Sequence, residues 1–186
     1  MAGLVEQVHA ACGPCSILVN VAGINFARPF AELDYEAWRR VLAVNLDSQF
    51  LVTRAFAPDM VAAGWGRIVN MASSSIYTNT PGLVAYMASK AGVVGLTSGL
   101  ANDLGAYGIT VNAVSPGLTR TEAVEEEIAA GSFPEAALDA MVDERAIRRH
   151  ATVDDLVGTV LFLVSDEAAF VTARFLVANG GATRSF

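Results

Sequence analysis

The 186 residues are 53% hydrophobic and 17% charged, and 12 basic against 19 acidic side chains give a formal net charge of -7. That composition fits one folded domain spanning residues 1–186 and excludes a disordered tail. It also argues against nucleic acid as a partner, because neutralising phosphates needs a basic patch. No apolar run reaches the roughly 18 residues of a membrane span. The opening MAGLVEQVHAACG has no basic residue ahead of an apolar stretch, as a secretory leader would. The expectation is a soluble, cytoplasmic protein with no membrane partner.

Residues 2–12 read as a helix, stopped by Gly13-Pro14, with a strand over Ile17–Asn20 behind it. Cys12 and Cys15 bracket that stop as Cys-Gly-Pro-Cys, the spacing of thiol redox motifs. A reactive thiolate is favoured at a helix N-terminus, whereas these cysteines fall at a C-terminus, so the expected role is helix-stop and turn. With His9 and His150 as the only histidines, no four-ligand metal spacing exists. Asp34 predicts an N-cap for a helix to about Asn45, and a second helix runs to about Ala63 and stops at Gly64-Trp65-Gly66.

A strand follows over Arg67–Ala72, then a long helix from about Val84 to Leu104, then a strand over Thr110–Ser115. These strands are short, apolar and β-branched, as buried parallel strands are. Leu118 to Ala151 reads as a long connection without a strand, holding short helices over Thr121–Ala130 and Glu135–Val142. Thr152 and Asp155 fit a capping box before Leu156–Val164, a helix apolar almost all round and therefore expected to be buried. A last strand covers Phe175–Ala178. Strands alternating with helices predict an α/β fold with a parallel sheet covered on both faces.

Several residues carry chemistry in this frame. Tyr86 and Lys90 stand four apart on one helix face, and an ammonium beside a phenol lowers the phenol's pKa. The same spacing also occurs in ordinary surface pairs. Ser73 stands thirteen residues before Tyr86 at a strand's C-terminal end, where open α/β sheets bind ligands. There it can meet a carbonyl oxygen, or simply cap a turn. Asn45 is a polar residue between Val44 and Leu46, open to reading as a satisfied core amide. Asn20, Val21, Ala22 and Gly23 follow the first strand, and Pro116, Gly117 and Thr119 follow the third, where a backbone can turn sharply beside a ligand.

Taken in order, these residues resemble the short-chain dehydrogenase/reductase family over about Gly13 to Gly181. The signature is Asn-x-Ala-Gly, a helix Asn, a Ser, Tyr-x-x-x-Lys, Pro-Gly-x-Thr and a terminal Asn179-Gly180-Gly181. The resemblance implies an NAD- or NADP-dependent oxidoreductase interconverting a secondary alcohol and a ketone. Tyr86 would be the general acid in reduction and the base in oxidation. Lys90 would tune Tyr86 and hold the nicotinamide ribose, Ser73 would orient the substrate oxygen, and Asn45 would support a relay water. Asn20, Ala22 and Gly23 would line the adenosine side, with Pro116, Gly117 and Thr119 at the nicotinamide. The stretch from Thr80 to Tyr86 is similar to 3-oxoacyl-carrier-protein reductases and bacterial secondary-alcohol dehydrogenases. Family members assemble as dimers or tetramers, which implies a homo-oligomer.

The family opens with a strand, a Gly-rich turn and a helix that bind the pyrophosphate. No Gly-x-x-x-Gly-x-Gly occurs in the 186 residues. The expectation is therefore an N-terminally truncated chain with a partial Rossmann-type, doubly wound parallel sheet. On the order of 60 residues would be absent, including the residue that selects between NAD and NADP. Ile17–Asn20 would become an open sheet edge. Activity would then need the missing segment. The alternative is a non-catalytic subunit or fragment that associates with a full-length partner. Smaller departures from the family are Ser16 in place of an acid, Val21 in place of Asn, Ala173 in place of Gly and Asn179 in place of Asp.

Overall fold

The computed structural model describes residues 1–78 and 80–183. Its strands are β1 (Ile17–Asn20), β2 (Gly66–Met71), β3 (Ile109–Pro116), β4 (Thr119–Arg120), β5 (Ala151–Thr152) and β6 (Phe175–Ala178). Four of them form one sheet in the order β1-β2-β3-β6, every neighbouring pair parallel. The register pairs Asn20 with Asn70, Asn70 with Ala113, and Val114 with both Met71 and Leu176. All four strands therefore end along one edge, and the segments after them meet there.

The helices are α1 (Ala2–Cys12), α2 (Tyr35–Leu42), α3 (Ser48–Ala63), α4 (Val84–Leu104), α5 (Glu122–Ala129), α6 (Glu135–Asp143) and α7 (Asp154–Val164). Alternation along the strands divides the core between the two sheet faces. Ile68, Ile109 and Val111 pack with Met60 of α3 and Ala101 of α4. Val69 and Val114 point the other way and pack with Leu163 of α7. This is a partial doubly wound α/β sheet, as expected.

Most predicted elements stand within a residue or two of their expected bounds. Asp34 accepts from the Ala37 N–H at 2.7 Å and caps α2. Cys12 ends α1, and burial together with the Asp59 charge pushes the Cys15 thiol above its ordinary pKa. Both cysteines are free, and no group of metal-ligating side chains occurs among the described residues.

Four expectations need correction. The two helices predicted between Asp34 and Ala63 are one continuous rod, joined by a π-helical turn over Ala43–Asp47. The Leu118–Ala151 connection does contain a strand: β4 pairs in parallel with β5, clasping its two ends together. Asp155 reaches back to the Thr152 N–H at 2.9 Å, but the Thr152 hydroxyl bonds Asp155 rather than the backbone, so only half of a capping box forms. Finally, α7 is not buried all round. Val153, Val157 and Leu161, four residues apart, are 53%, 48% and 60% exposed and form an apolar stripe. No helix among the described residues is long and apolar enough to cross a membrane.

Candidate active site

Helix α4 begins beside the C-terminal end of β2, and its first two turns carry Tyr86 and Lys90 toward that edge. Ser73 follows β2 directly. Its Oγ accepts from the Ser75 N–H at 3.2 Å and caps the turn Ser74–Tyr77. That leaves the hydroxyl proton free, and the neighbouring Ser73 hydroxyl favours the Tyr86 phenolate. Burial opposes it and prevails, so the Tyr86 phenol lies above its ordinary pKa.

Lys90 lies over the Tyr86 ring, with its ammonium bonded to the main chain. It is 4% exposed, and its Nζ donates to the Met71 carbonyl at 2.9 Å while standing 5.7 Å from the centroid of the Tyr86 ring. Burial lowers its pKa to about 8. In place of the expected lowering, burial leaves the phenol above its ordinary value.

Asn45 lies in the π-turn and is fully buried. Its Oδ1 accepts from the Ile24 N–H at 2.7 Å, and its Nδ2 donates to the Ile24 carbonyl and to Ser89 Oγ, both at 3.0 Å. The side chain thus clamps the loop after β1 to the site. Ser89, which the sequence reading passed over, donates in turn to the Tyr86 carbonyl at 2.6 Å. Its position inside the Tyr-x-x-x-Lys segment was the available signal.

The loops that the sequence singled out meet at this edge. Ala22 and Gly23 are exposed at its rim. A Cβ on Gly23 would fall 3.3 Å from Lys90 Nζ and 3.4 Å from Asn45 Oδ1, so this backbone approaches the site as closely as glycine allows. Asn20 is turned inward instead: its amide donates to Thr53 Oγ1 at 3.2 Å and to Asn70 Oδ1 at 2.9 Å, tying β1 to β2 and α3. Pro116 ends β3. Gly117 packs against Asn179, where a Cβ would fall 2.9 Å from the Asn179 Cβ. Thr119 Oγ1 donates to the Gly117 carbonyl at 3.0 Å, keeping its lone pairs available to a ligand amide. Arg145, 4% exposed, donates to the Leu118 and Arg149 carbonyls and anchors this loop from below.

These residues fit the nicotinamide end of a dinucleotide. Ser115 Oγ, at the end of β3, is buried and has no hydrogen-bond partner among the described residues. A hydroxyl, a phenol and an amine gathered at the carboxyl ends of parallel strands can hold a carbonyl oxygen and exchange a proton with it. Such an arrangement suits the chemistry of an alcohol–carbonyl oxidoreductase.

Comparison with known proteins agrees. A family profile described as Enoyl-(Acyl carrier protein) reductase matches residues 1–183. Nodulation protein G of Azospirillum brasilense is 39% identical over 181 residues, covering 96% of this chain and 70% of that protein. Acetoacetyl-CoA reductase of Rhizobium meliloti (strain 1021) is 38% identical over 178 residues, covering 95% and 71%. The crystal structure of a gluconate 5-dehydrogenase from Burkholderia cenocepacia J2315, in complex with NADP and tartrate, superposes with a TM-score of 0.89 at 33% identity, covering 99% of this chain and 71% of that one. The chain belongs to the short-chain dehydrogenase/reductase family of NAD(P)-dependent oxidoreductases, and it spans about 70% of the length of the relatives it matches.

Proposed function

We propose that this chain carries the proton-transfer half of an oxidoreductase that interconverts a secondary alcohol and a ketone, with 3-oxoacyl thioesters as its substrate class. The observation that carries the reading is the convergence of Ser73, Tyr86 and Lys90 on the C-terminal end of β2, with Lys90 fixed by the Met71 carbonyl. The acetoacetyl-CoA reductase relative supports the substrate class.

In reduction, Ser73 donates a hydrogen bond to the carbonyl oxygen and Tyr86 delivers the proton as charge develops there. Burial keeps the phenol protonated at neutral pH, which suits an acid. In oxidation Tyr86 takes the proton back, with Ser73 easing its ionisation. Lys90 holds the nicotinamide ribose. Both Nδ2 hydrogens of Asn45 are taken, so its support for a relay water would come from its oxygens. Ala22 and Gly23 border the adenosine side, with Asn20 bracing them from behind. Pro116, Gly117 and Thr119 border the nicotinamide. A bound nicotinamide, of either NAD or NADP, supplies or accepts the hydride.

Because no Gly-rich phosphate-binding turn occurs in these 186 residues, full activity is proposed to depend on such a segment ahead of β1. The proposal also includes a homo-oligomer. Phe50 and Leu51 on α3, both 43% exposed, and the stripe on α7 are apolar surfaces of the kind that subunits bury against each other. The reading is tested by joining a Gly-rich phosphate-binding segment ahead of β1 and assaying 3-oxoacyl thioesters and short ketones with NADH and NADPH, with and without Tyr86→Phe. Turnover that ignores Tyr86 would contradict it.

A further inference from the structure

One helical turn after Asn45, α3 buries Gln49 to 1% exposure. An amide is seldom placed so deep unless its polar atoms are bonded. Gln49 Nε2 donates to the main-chain carbonyl of Asn45 at 3.0 Å and reaches the Met71 carbonyl at 3.4 Å. The second of these is the acceptor that holds Lys90 Nζ at 2.9 Å. The first belongs to the π-turn whose Asn45 side chain clamps Ile24 and Ser89. Gln49 thus touches two main-chain supports of the site. Its own Oε1 is buried with no hydrogen-bond partner among the described residues.

We propose that Gln49 is a positioning residue for Lys90, acting through the Met71 carbonyl that the two side chains share. The proposal rests on the reading of Lys90 as part of the proton-transfer site. A carbonyl oxygen has two lone pairs, and a second N–H draws on the charge that the ammonium would otherwise have to itself. Gln49 therefore fixes where the carbonyl points and weakens its hold on the cationic form of Lys90. Simple filling of space does not explain the amide. The unpaired Oε1 carries a desolvation penalty that a methionine of similar length avoids.

Among the described residues, few groups face Lys90. Tyr86 comes from its own helix, the Met71 carbonyl from β2, and Gly23 from the adjoining loop. Tyr86 is the titratable one, and burial, not a carboxylate, sets the Lys90 value. A change at the shared carbonyl has little to mask it.

Lys90 is the only lysine in the sequence, so protein grown on lysine labelled at Cε gives a single side-chain titration by NMR. Gln49→Met keeps the length and removes the donor, and is expected to move the Lys90 midpoint upward by about half a pH unit or more. Gln49→Glu places a carboxylate in the same spot and is expected to move it further in the same direction. Leu163→Ala, on the opposite face of the sheet, should lower thermal stability and leave the midpoint in place. Should Gln49→Met fail to fold, Gln49→Glu and Gln49→Asn give the same reading. A Lys90 midpoint that stays put in the folded Gln49 variants overturns the proposal. Because the readout is Lys90 itself, a chain that shows the shift yet never turns over, even when joined to a Gly-rich phosphate-binding segment, would sink the proton-transfer reading and leave this one standing.

Discussion

Lys90 donates to the Met71 carbonyl at 2.9 Å, so a neutral oxygen, not a carboxylate, balances the buried ammonium. That relationship makes stability depend on pH in a definite direction. Unfolded, Lys90 takes its ordinary value of 10.5, and folded it takes about 8. Below pH 8 both states are protonated and the full penalty of burying the cation is present. Between 8 and 10.5 the folded state gives up its proton first, so the penalty fades as pH rises. Lys90→Met should therefore stabilise the chain at pH 7 by on the order of 2–3 kcal/mol, with the gain shrinking toward pH 10. Denaturant midpoints of both proteins at several pH values check this. A gain that does not shrink contradicts it.

The Tyr86 phenol has the opposite balance, with burial raising its pKa and Ser73 lowering it. In a spectrophotometric titration, the phenol lost in Tyr86→Phe should be one that ionises above the ordinary value of 10.0. Ser73→Ala should push it higher still. A Tyr86 midpoint that falls in Ser73→Ala would show that the hydroxyl does not favour the phenolate.

Ala173 is the only described non-glycine residue with positive φ, at 56°. The left-handed region costs an L-residue roughly 1–2 kcal/mol. The Ala173 methyl also packs against the Met60–Ile109 cluster, which recovers part of that. Ala173→Gly is expected to raise stability by up to about 1 kcal/mol, read as a higher melting temperature. A lower one would mean that the packing of the methyl outweighs the strain.

The stripe of Val153, Val157 and Leu161 on α7 is the clearest mark of a missing neighbour. If a second copy covers it, Leu161→Asp should shift the mass measured by light scattering toward the monomer while leaving circular dichroism unchanged. An unchanged mass would place any subunit contact elsewhere.

Much of this was legible in the sequence because the strands are short β-branched runs with no competing helical period. The long helix α4 was found to the residue, Val84 to Leu104. What escaped was set by tertiary contacts. The two-residue pairing of β4 with β5 is too short to leave a pattern. The apolar circumference of α7 says that its faces prefer cover, not which of them this chain supplies. The type of Lys90 was visible, but its partner is a main-chain carbonyl, which any residue at position 71 would provide. For the same reason Gln49 gave no signal, since both of its acceptors are backbone oxygens.

The central claim is that Ser73, Tyr86 and Lys90 form a working proton-transfer site awaiting a bound nicotinamide. The most direct test joins the family's Gly-rich strand, turn and helix segment ahead of Met1 and measures reduction of a 3-oxoacyl thioester by NADH and NADPH. The account predicts turnover, reduced at least about 100-fold by Tyr86→Phe. A folded chimera that binds the coenzyme yet reduces nothing, or reduces equally well without the phenol, would contradict it.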